Sequence, residues 1–269
     1  MKNWYFIADA HFSETDQEHQ ERLIDFLERN RDQMECLVIL GDLFEFWFGF
    51  QDYIDPAYQP ICDTLASLRK DGVGLIYLEG NHDFSLGPFF TDTLKGEVYP
   101  RDHELNLNGL RVFLAHGDGL DPGDLRYRIY RRVLKNRFIF ALIRWVGPRL
   151  TLKIKKLISS RKWMHRRRRH KEEDLPDERF ALQKCKEGMD VVILGHTHQP
   201  CEKSFVVDGR NCYYYNVGDW IQHFSYLQYH PQSGFRLETY RPASSTSGEG
   251  QVNLSSRVGS YKNEPVSPD

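Results

Sequence analysis

Residues 36–42 read CLVILGD, an uninterrupted apolar run that stops on a glycine and a carboxylate. A run this short, apolar and rich in branched side chains predicts a strand buried on both faces, as in parallel sheets covered by helices. Working outward, the design recurs: residues 4–9 read WYFIAD, 75–83 LIYLEGNHD, 110–118 LRVFLAHGD and 190–198 DVVILGHTH. Between the first three lie two helical patterns. Residues 16–32 space Leu23, Ile24 and Leu27 along one face, and residues 56–72 form a second helix closed by Gly72. This βαβαβ order predicts a right-handed, largely parallel sheet. Asn108-Gly109 and Asp208-Gly209, each between alternating runs, mark two hairpins, and residues 224–230 and 234–240 supply further strands.

The chain has 269 residues, 40% of them apolar, which suits one sizeable α/β domain with an insertion or two small domains. Its net charge of −2 conceals a strong asymmetry. Residues 126–171 hold 18 of the 36 Lys and Arg and no acidic residue, so all 38 Asp and Glu lie elsewhere. A block this basic seeks anionic partners: nucleic acid, acidic headgroups or a phosphorylated substrate. Five scattered cysteines without a C-x-x-C spacing argue against a disulfide framework or zinc ribbon and predict reduced thiols in a cytosolic setting. The first apolar run meets Asp9 at once, unlike a signal peptide. The longest apolar window, FIFALIRWV at residues 138–146, contains Arg144 and falls well short of the ~20 residues a spanning helix needs.

Every strand pattern is followed by a side chain able to bind metal: Asp9-x-His11, Asp42, Asn81-His82, His116 and His196-x-His198. Ligand sites in open α/β sheets lie beyond the carboxyl ends of strands. Oxygen and imidazole donors without sulfur suit a hard-to-borderline divalent cation. Taken singly, each has a plainer reading. Asp9 is a helix cap, Asp42 a turn carboxylate, Asn81 a left-handed turn residue, and His116 a hydrogen-bonded core histidine. The set, in this order and behind these strands, outweighs those readings.

The order D-x-H, G-D, G-N-H-D, H-G-D, G-H-T-H resembles that of the calcineurin-like metallophosphoesterase superfamily, over roughly residues 4–240 apart from the basic insertion. The resemblance implies a four-layer α/β/β/α sandwich with two divalent metal ions at one edge. Asp9, His11 and His198 would hold the first, Asn81, His116 and His196 the second, with Asp42 bridging both. Manganese fits the mixed donors. Paired cations lower the pKa of a bound water and neutralise phosphoester oxygens. His82 and Asp42 are then the candidate catalytic residues, His82 steadying a phosphoryl oxygen or protonating the leaving group.

Four further stretches, GDLFEFWFG (41–49), HGDGLDPGDLRYR (116–128), GHTHQP (195–200) and NVGDW (216–220), resemble the UDP-2,3-diacylglucosamine pyrophosphohydrolases of lipid A synthesis. Those enzymes split a nucleotide-linked diacyl sugar into UMP and an acylated sugar phosphate, and carry a helical insertion at the same place. By that match Asn81, His82, Asp124, Tyr127 and His196 are substrate-binding candidates, and Arg161 and Lys162 are candidate phosphate contacts. The chain departs from the best-known branch at His82, where that branch has arginine.

The insertion, residues 120–182, interrupts a domain formed by residues 1–119 and 183–241. Residues 242–269 have the Ser/Gly/Pro-rich composition of a disordered tail. Tyr127, Tyr130, Val133 or Leu134, Phe138, Ala141 or Leu142, and Trp145 follow helical spacing, Gly147-Pro148 breaks it, and Leu150, Ile154, Leu157 and Ile158 form a second stripe. Two basic amphipathic helices read as a lid that accepts acyl chains and meets an anionic membrane surface. This places the protein peripherally on the cytoplasmic face of the inner membrane. The plainer reading packs these helices on the core. RRRRH at residues 166–170 also resembles a nucleic-acid arm, although the apolar stripes have no use on a phosphate backbone. A non-catalytic scaffold is disfavoured because all seven metal positions carry competent donors. No obligate protein partner is inferred.

Overall fold

The computed structural model describes residues 1–83, 85–120, 137–148, 150–151 and 176–242. Two sheets stack face to face. The first contains β1 (Asn3–Ile7), β2 (Met34–Ile39), β3 (Gly74–Leu78) and β4 (Glu97–Tyr99) in parallel. It is completed beyond β1 by antiparallel β10 (Ser225–His230) and β11 (Gly234–Thr239). The second runs in the order β5 (His103–Leu107), β6 (Leu110–Leu114), β7 (Val191–Leu194), β9 (Arg210–Asn216), β8 (Cys201–Val207). Strands β6, β7 and β9 are parallel, and the two antiparallel pairs close at Leu107↔Leu110 and Val207↔Arg210, the two expected hairpins.

The apolar runs resolve into two alternating sets, which explains why they looked continuous. In the first sheet Tyr5, Ile7, Leu37, Ile39, Leu75 and Tyr77 face helices α1 (Gln17–Asn30) and α2 (Gln59–Lys70), against Leu23, Phe26, Ile61 and Leu65. The intervening Phe6, Ala8, Val38, Leu40, Ile76 and Leu78 meet Val112, Leu114, Val191 and Ile193 of the second sheet. That sheet turns Phe113, Ala115, Val192 and Leu194 the other way, onto Ala181 and Cys185 of a further helix, Pro176–Lys186. The inner strands thus bury both faces, and the chain forms the four-layer α/β/β/α sandwich that the resemblance implied.

Of the insertion, the described residues are 120, helix α3 (Arg137–Val146) with residues 147, 148, 150 and 151 after it, and 176–182 at its far end. The helix ends at Gly147, whose φ of 80° suits glycine, as the sequence predicted. Leu142, Trp145 and Leu150 are exposed, Trp145 at 85%. Among the described residues no helix is long and apolar enough to cross a membrane. The second apolar stripe, the RRRRH run and the tail from residue 243 lie outside the described residues.

Helix Pro176–Lys186, hereafter α4, straddles the boundary expected at residue 182, and its Ala181 and Cys185 pack on the second sheet. Strand β4 was not foreseen; three residues are too few to show a period. The cysteine reading needs correction. Cys185 of α4 and Cys212 of β9 form a disulfide, while Cys36, Cys62 and Cys201 are free. Nothing in a 27-residue separation announces this bond; it exists because α4 lies across β9.

Candidate metal centre

The predicted donors converge where the inner strands of the two sheets end. Asp9 and His11 follow β1, Asp42 follows β2, Asn81 and His82 follow β3, His116 follows β6, and His196 and His198 follow β7. Close approach depends on small residues. A Cβ on Gly80 would sit 2.1 Å from Asp42 Oδ1, and one on Gly41, at φ +88°, would sit 2.7 Å from His116 Nδ1. Asp9, His11, Asp42, His196 and His198 all have left-handed backbones, with φ from 48° to 70°. Such conformations cost about 1–3 kcal/mol each in non-glycine residues and cluster at functional sites, where they aim side chains. Asn81, for which a left-handed turn was the plainer reading, is not among them.

The inward-facing atoms form a connected set. Asp9 Oδ1 lies 3.7 Å from His11 Nε2 and 3.6 Å from His198 Nε2. His116 Nε2 lies 3.2 Å from Asn81 Oδ1 and 3.3 Å from His196 Nδ1. Between these groups sits Asp42 Oδ2, 3.7 Å from His11 Nε2 and 3.3 Å from His116 Nε2. The remaining carboxylate oxygens are tied down by backbone N–H groups: His196 N donates to Asp9 Oδ2 at 2.7 Å, and His82 N donates to Asp42 Oδ1 at 2.8 Å. Asp9 Oδ1 and His11 Nε2 are buried without a hydrogen-bond partner among the described residues. Buried polar atoms are rarely left so, and a divalent cation would satisfy both. The donor chemistry and the orphaned atoms therefore fit metal. Three overlapping groups, Asp9–His11–His198, His11–Asp42–His82 and Asp42–His116–His196, each bring their ligand atoms within 4.8 Å of one another.

Electrostatics point the same way. Burial opposes charge on His116, yet Asp42 outweighs it and lifts the imidazole to about 10. Burial would raise Asp42, but His116 holds it well below the usual carboxylate range. Burial likewise lowers His11, and Asp9 and Glu45 more than reverse this. His196 is pushed down to about 4, first by burial and then by His116. The cation-free cluster is thus held by imidazolium–carboxylate pairs, and a metal would displace those protons.

His82 has its Nδ1 2.9 Å from the Glu45 carbonyl and its ring edge-on to His11 at 4.7 Å, which leaves Nε2 as its other polar ring atom. Asp124, Tyr127, Arg161 and Lys162 lie outside the described residues. Sequence reading assigned no role to three carboxylates that support the centre. Asp83, fully buried, accepts from Asp42 N, Leu43 N, Gly80 N and the Tyr77 hydroxyl. Glu45 Oε2 lies 3.3 Å from His11 Nδ1, and Asp219 Oδ2 lies 3.4 Å from His198 Nδ1. Their signal lay in quoted motifs, as the acids of GDLFE, GNHD and NVGD, but the imidazoles they face are remote in sequence. Asn216 of the same NVGDW segment donates to Gly195 O and Thr197 Oγ1, bracing the loop that carries both final histidines.

Comparison with known proteins agrees with this geometry. Residues 4–200 match the calcineurin-like phosphoesterase family. A UDP-2,3-diacylglucosamine hydrolase of Aeromonas salmonicida (strain A449) is 33% identical over 227 residues, covering 82% of this chain and 87% of the relative. One from Haemophilus influenzae (strain PittGG) is 32% identical, covering 74% and 84%, and one from Pseudomonas putida is 30% identical, covering 87% and 97%. Strand-end donors of this kind, set in a family match across most of the described sandwich, make the chain a member of the calcineurin-like phosphoesterase family.

Proposed function

We propose that this metal-dependent hydrolase cleaves the pyrophosphate bond of UDP-2,3-diacylglucosamine, releasing UMP and 2,3-diacylglucosamine 1-phosphate for lipid A synthesis. The observation that carries the reading is the joint occurrence of the strand-end cluster and relatives named for this activity that align along most of their own length. We assign the centre two divalent cations, manganese by donor type. When bound, they would lower the pKa of a water and neutralise the phosphate oxygens it must approach.

In this reading Asp9, His11 and His198 would hold one cation and Asn81, His116 and His196 the other, with Asp42, whose Oδ2 lies near an imidazole of each group, shared between them. His82, with Nδ1 held by the Glu45 carbonyl, offers Nε2 to a phosphoryl oxygen or to the departing phosphate. Asn81 and His196 face the same phosphate, and Asp124, Tyr127, Arg161 and Lys162 are assigned as further substrate contacts. Where His82 stands in place of arginine, a forked, permanently charged guanidinium gives way to an imidazole with a single nitrogen to offer.

Residues 120–182 serve as the lid, and exposed Leu142, Trp145 and Leu150 are the beginning of a surface for acyl chains. Its cations would hold the protein peripherally against an anionic membrane surface, at the cytoplasmic face of the inner membrane. The purified chain with manganese and detergent-dispersed UDP-2,3-diacylglucosamine should release UMP, and Asp42→Ala should lower the rate at least ~10³-fold, as loss of a metal-organising group does. UMP no higher than the blank would refute the substrate assignment. A second reading, a nuclease or nucleotide phosphodiesterase, draws on the RRRRH run and predicts nucleic-acid binding that weakens steeply with salt.

A further inference from the structure

We propose that the end of the first sheet remote from the metal centre holds a second ligand site, one for a small phosphorylated sugar or polyol. A cavity of about 270 Å³ lies there, lined by Asn3, Gln228, His230, Ser233, Gly234 and Arg236. That is just below the ~300–1,000 Å³ of ordinary ligand pockets, so its occupant is small. Asn3 begins β1, and Asp9 lies beyond the other end of that strand. At ~3.3 Å per residue, the cavity stands roughly 20 Å from the centre. Strand register assembles it: Trp4, next to Asn3, pairs with Tyr229 of β10, while Gln228 pairs with Arg236 and His230 with Gly234 across the β10–β11 hairpin. None of these residues belongs to the metal centre, and the site does not depend on the substrate assigned above.

The lining divides by chemistry. One part donates. Arg236 is exposed and is in no ion pair among the described residues, not even with Glu238 two places along the same strand. His230 Nδ1 accepts the N–H of Gln232 at 3.2 Å, which puts the proton of the neutral imidazole on Nε2 and makes that atom a donor. Ser233 adds a hydroxyl, and no acid lines the cavity. A guanidinium fork beside imidazole and hydroxyl donors suits the several oxygens of a phosphate. The other part accepts. Asn3 Nδ2 and Gln228 Nε2 donate to the Tyr5 hydroxyl at 3.3 and 3.4 Å, and that hydroxyl donates onward to Asn30 Oδ1 at 3.0 Å. The two amide oxygens remain as acceptors. Asn3 is only 6% exposed, and its Oδ1 is buried with no hydrogen-bond partner among the described residues. A fully ionised phosphate has no proton to give this atom, whereas a hydroxyl does. Phosphate and hydroxyl groups on one small molecule match both parts.

Calorimetric titration of the full, manganese-loaded chain with glucose 6-phosphate, inorganic phosphate and glucose tests this. Comparing wild type with Arg236→Gln, a change at an exposed position, isolates the cavity, because any binding at the metal centre is common to both. Glucose 6-phosphate should fill a site that Arg236→Gln weakens ~10-fold or more, as loss of a hydrogen bond to a charged group does. Inorganic phosphate should bind the same Arg236-dependent site about fivefold more weakly, since it lacks the hydroxyls, and glucose should bind more weakly still. Asn3→Leu should bring glucose 6-phosphate to within about twofold of inorganic phosphate. Gln228→Leu, at a partly exposed position, should act in the same direction and carries this arm should Asn3→Leu fail to fold. Glucose 6-phosphate binding that is absent, or equal in wild type and Arg236→Gln, would overturn the proposal. So would glucose binding as tightly as its phosphate. Inorganic phosphate binding as tightly as glucose 6-phosphate would overturn it as well, leaving an adventitious ion only.

Discussion

Asp83 touches no substrate in the proposed reaction, yet it accepts three backbone N–H groups and the Tyr77 hydroxyl in full burial. It thereby joins the turn after β3 to the turn after β2, and so places Asn81 relative to Asp42. Burial, and then the charge of Asp42, push its carboxyl up to about 7. Keeping an acid there is costly, which argues that the four donors repay the cost by defining the turn. Asp83→Ala strands those donors, and an unsatisfied buried group costs ~1–3 kcal/mol. A stability loss of about 3–5 kcal/mol is expected in urea unfolding, together with weakened manganese uptake. A loss below about 1 kcal/mol would refute this account of Asp83. The donors themselves were legible because each sits in a two- to four-residue motif at a strand end. Asp83, Glu45 and Asp219 were not, since a carboxylate becomes a support only through the imidazole or N–H group it meets.

At the scale of elements, the helices and inner strands follow from local pattern. Leu23, Phe26 and Leu27 of α1 recur at three- and four-residue spacing and all three are buried. The parallel strands read as unbroken apolar runs because helices cover one face and the other sheet covers the second. The Cys185–Cys212 bond is of another kind, a link between α4 and β9 that no periodicity carries. Closing a loop of this length removes unfolded-chain entropy worth about 3–4 kcal/mol. Thiol reductant, or Cys212→Ala, should therefore lower unfolding stability by about 2–4 kcal/mol, measured by denaturant titration with and without reductant. Unchanged midpoints in both cases would show that α4 holds to β9 by packing alone.

At the scale of the molecule, basic charge and apolar residues are concentrated in one segment of the chain, and the acidic residues lie in the rest of it. Residues 126–171 carry 18 basic residues and no acid, and Trp145 stands 85% exposed on α3. A single apolar side chain of this size entering lipid contributes at least ~1.4 kcal/mol, a tenfold change in partitioning. Trp145→Glu should accordingly reduce co-sedimentation with phosphatidylglycerol vesicles about tenfold, while phosphatidylcholine vesicles should bind weakly from the start. Equal binding of variant and wild type would remove α3 from the proposed membrane surface.

Taken alone, the sequence determined the alternation of strands and helices, the two hairpins, the donor types at the strand ends and the basic block, because each is expressed within a few neighbouring residues. Only the tertiary structure decided which carboxylate backs which histidine, that Asp42 Oδ2 lies between two imidazoles, and that Cys185 reaches Cys212. Those outcomes depend on how two sheets stack and where their edges align. Stacking is set by packing between segments as distant as Asp9 and His198, for which a local pattern holds no record.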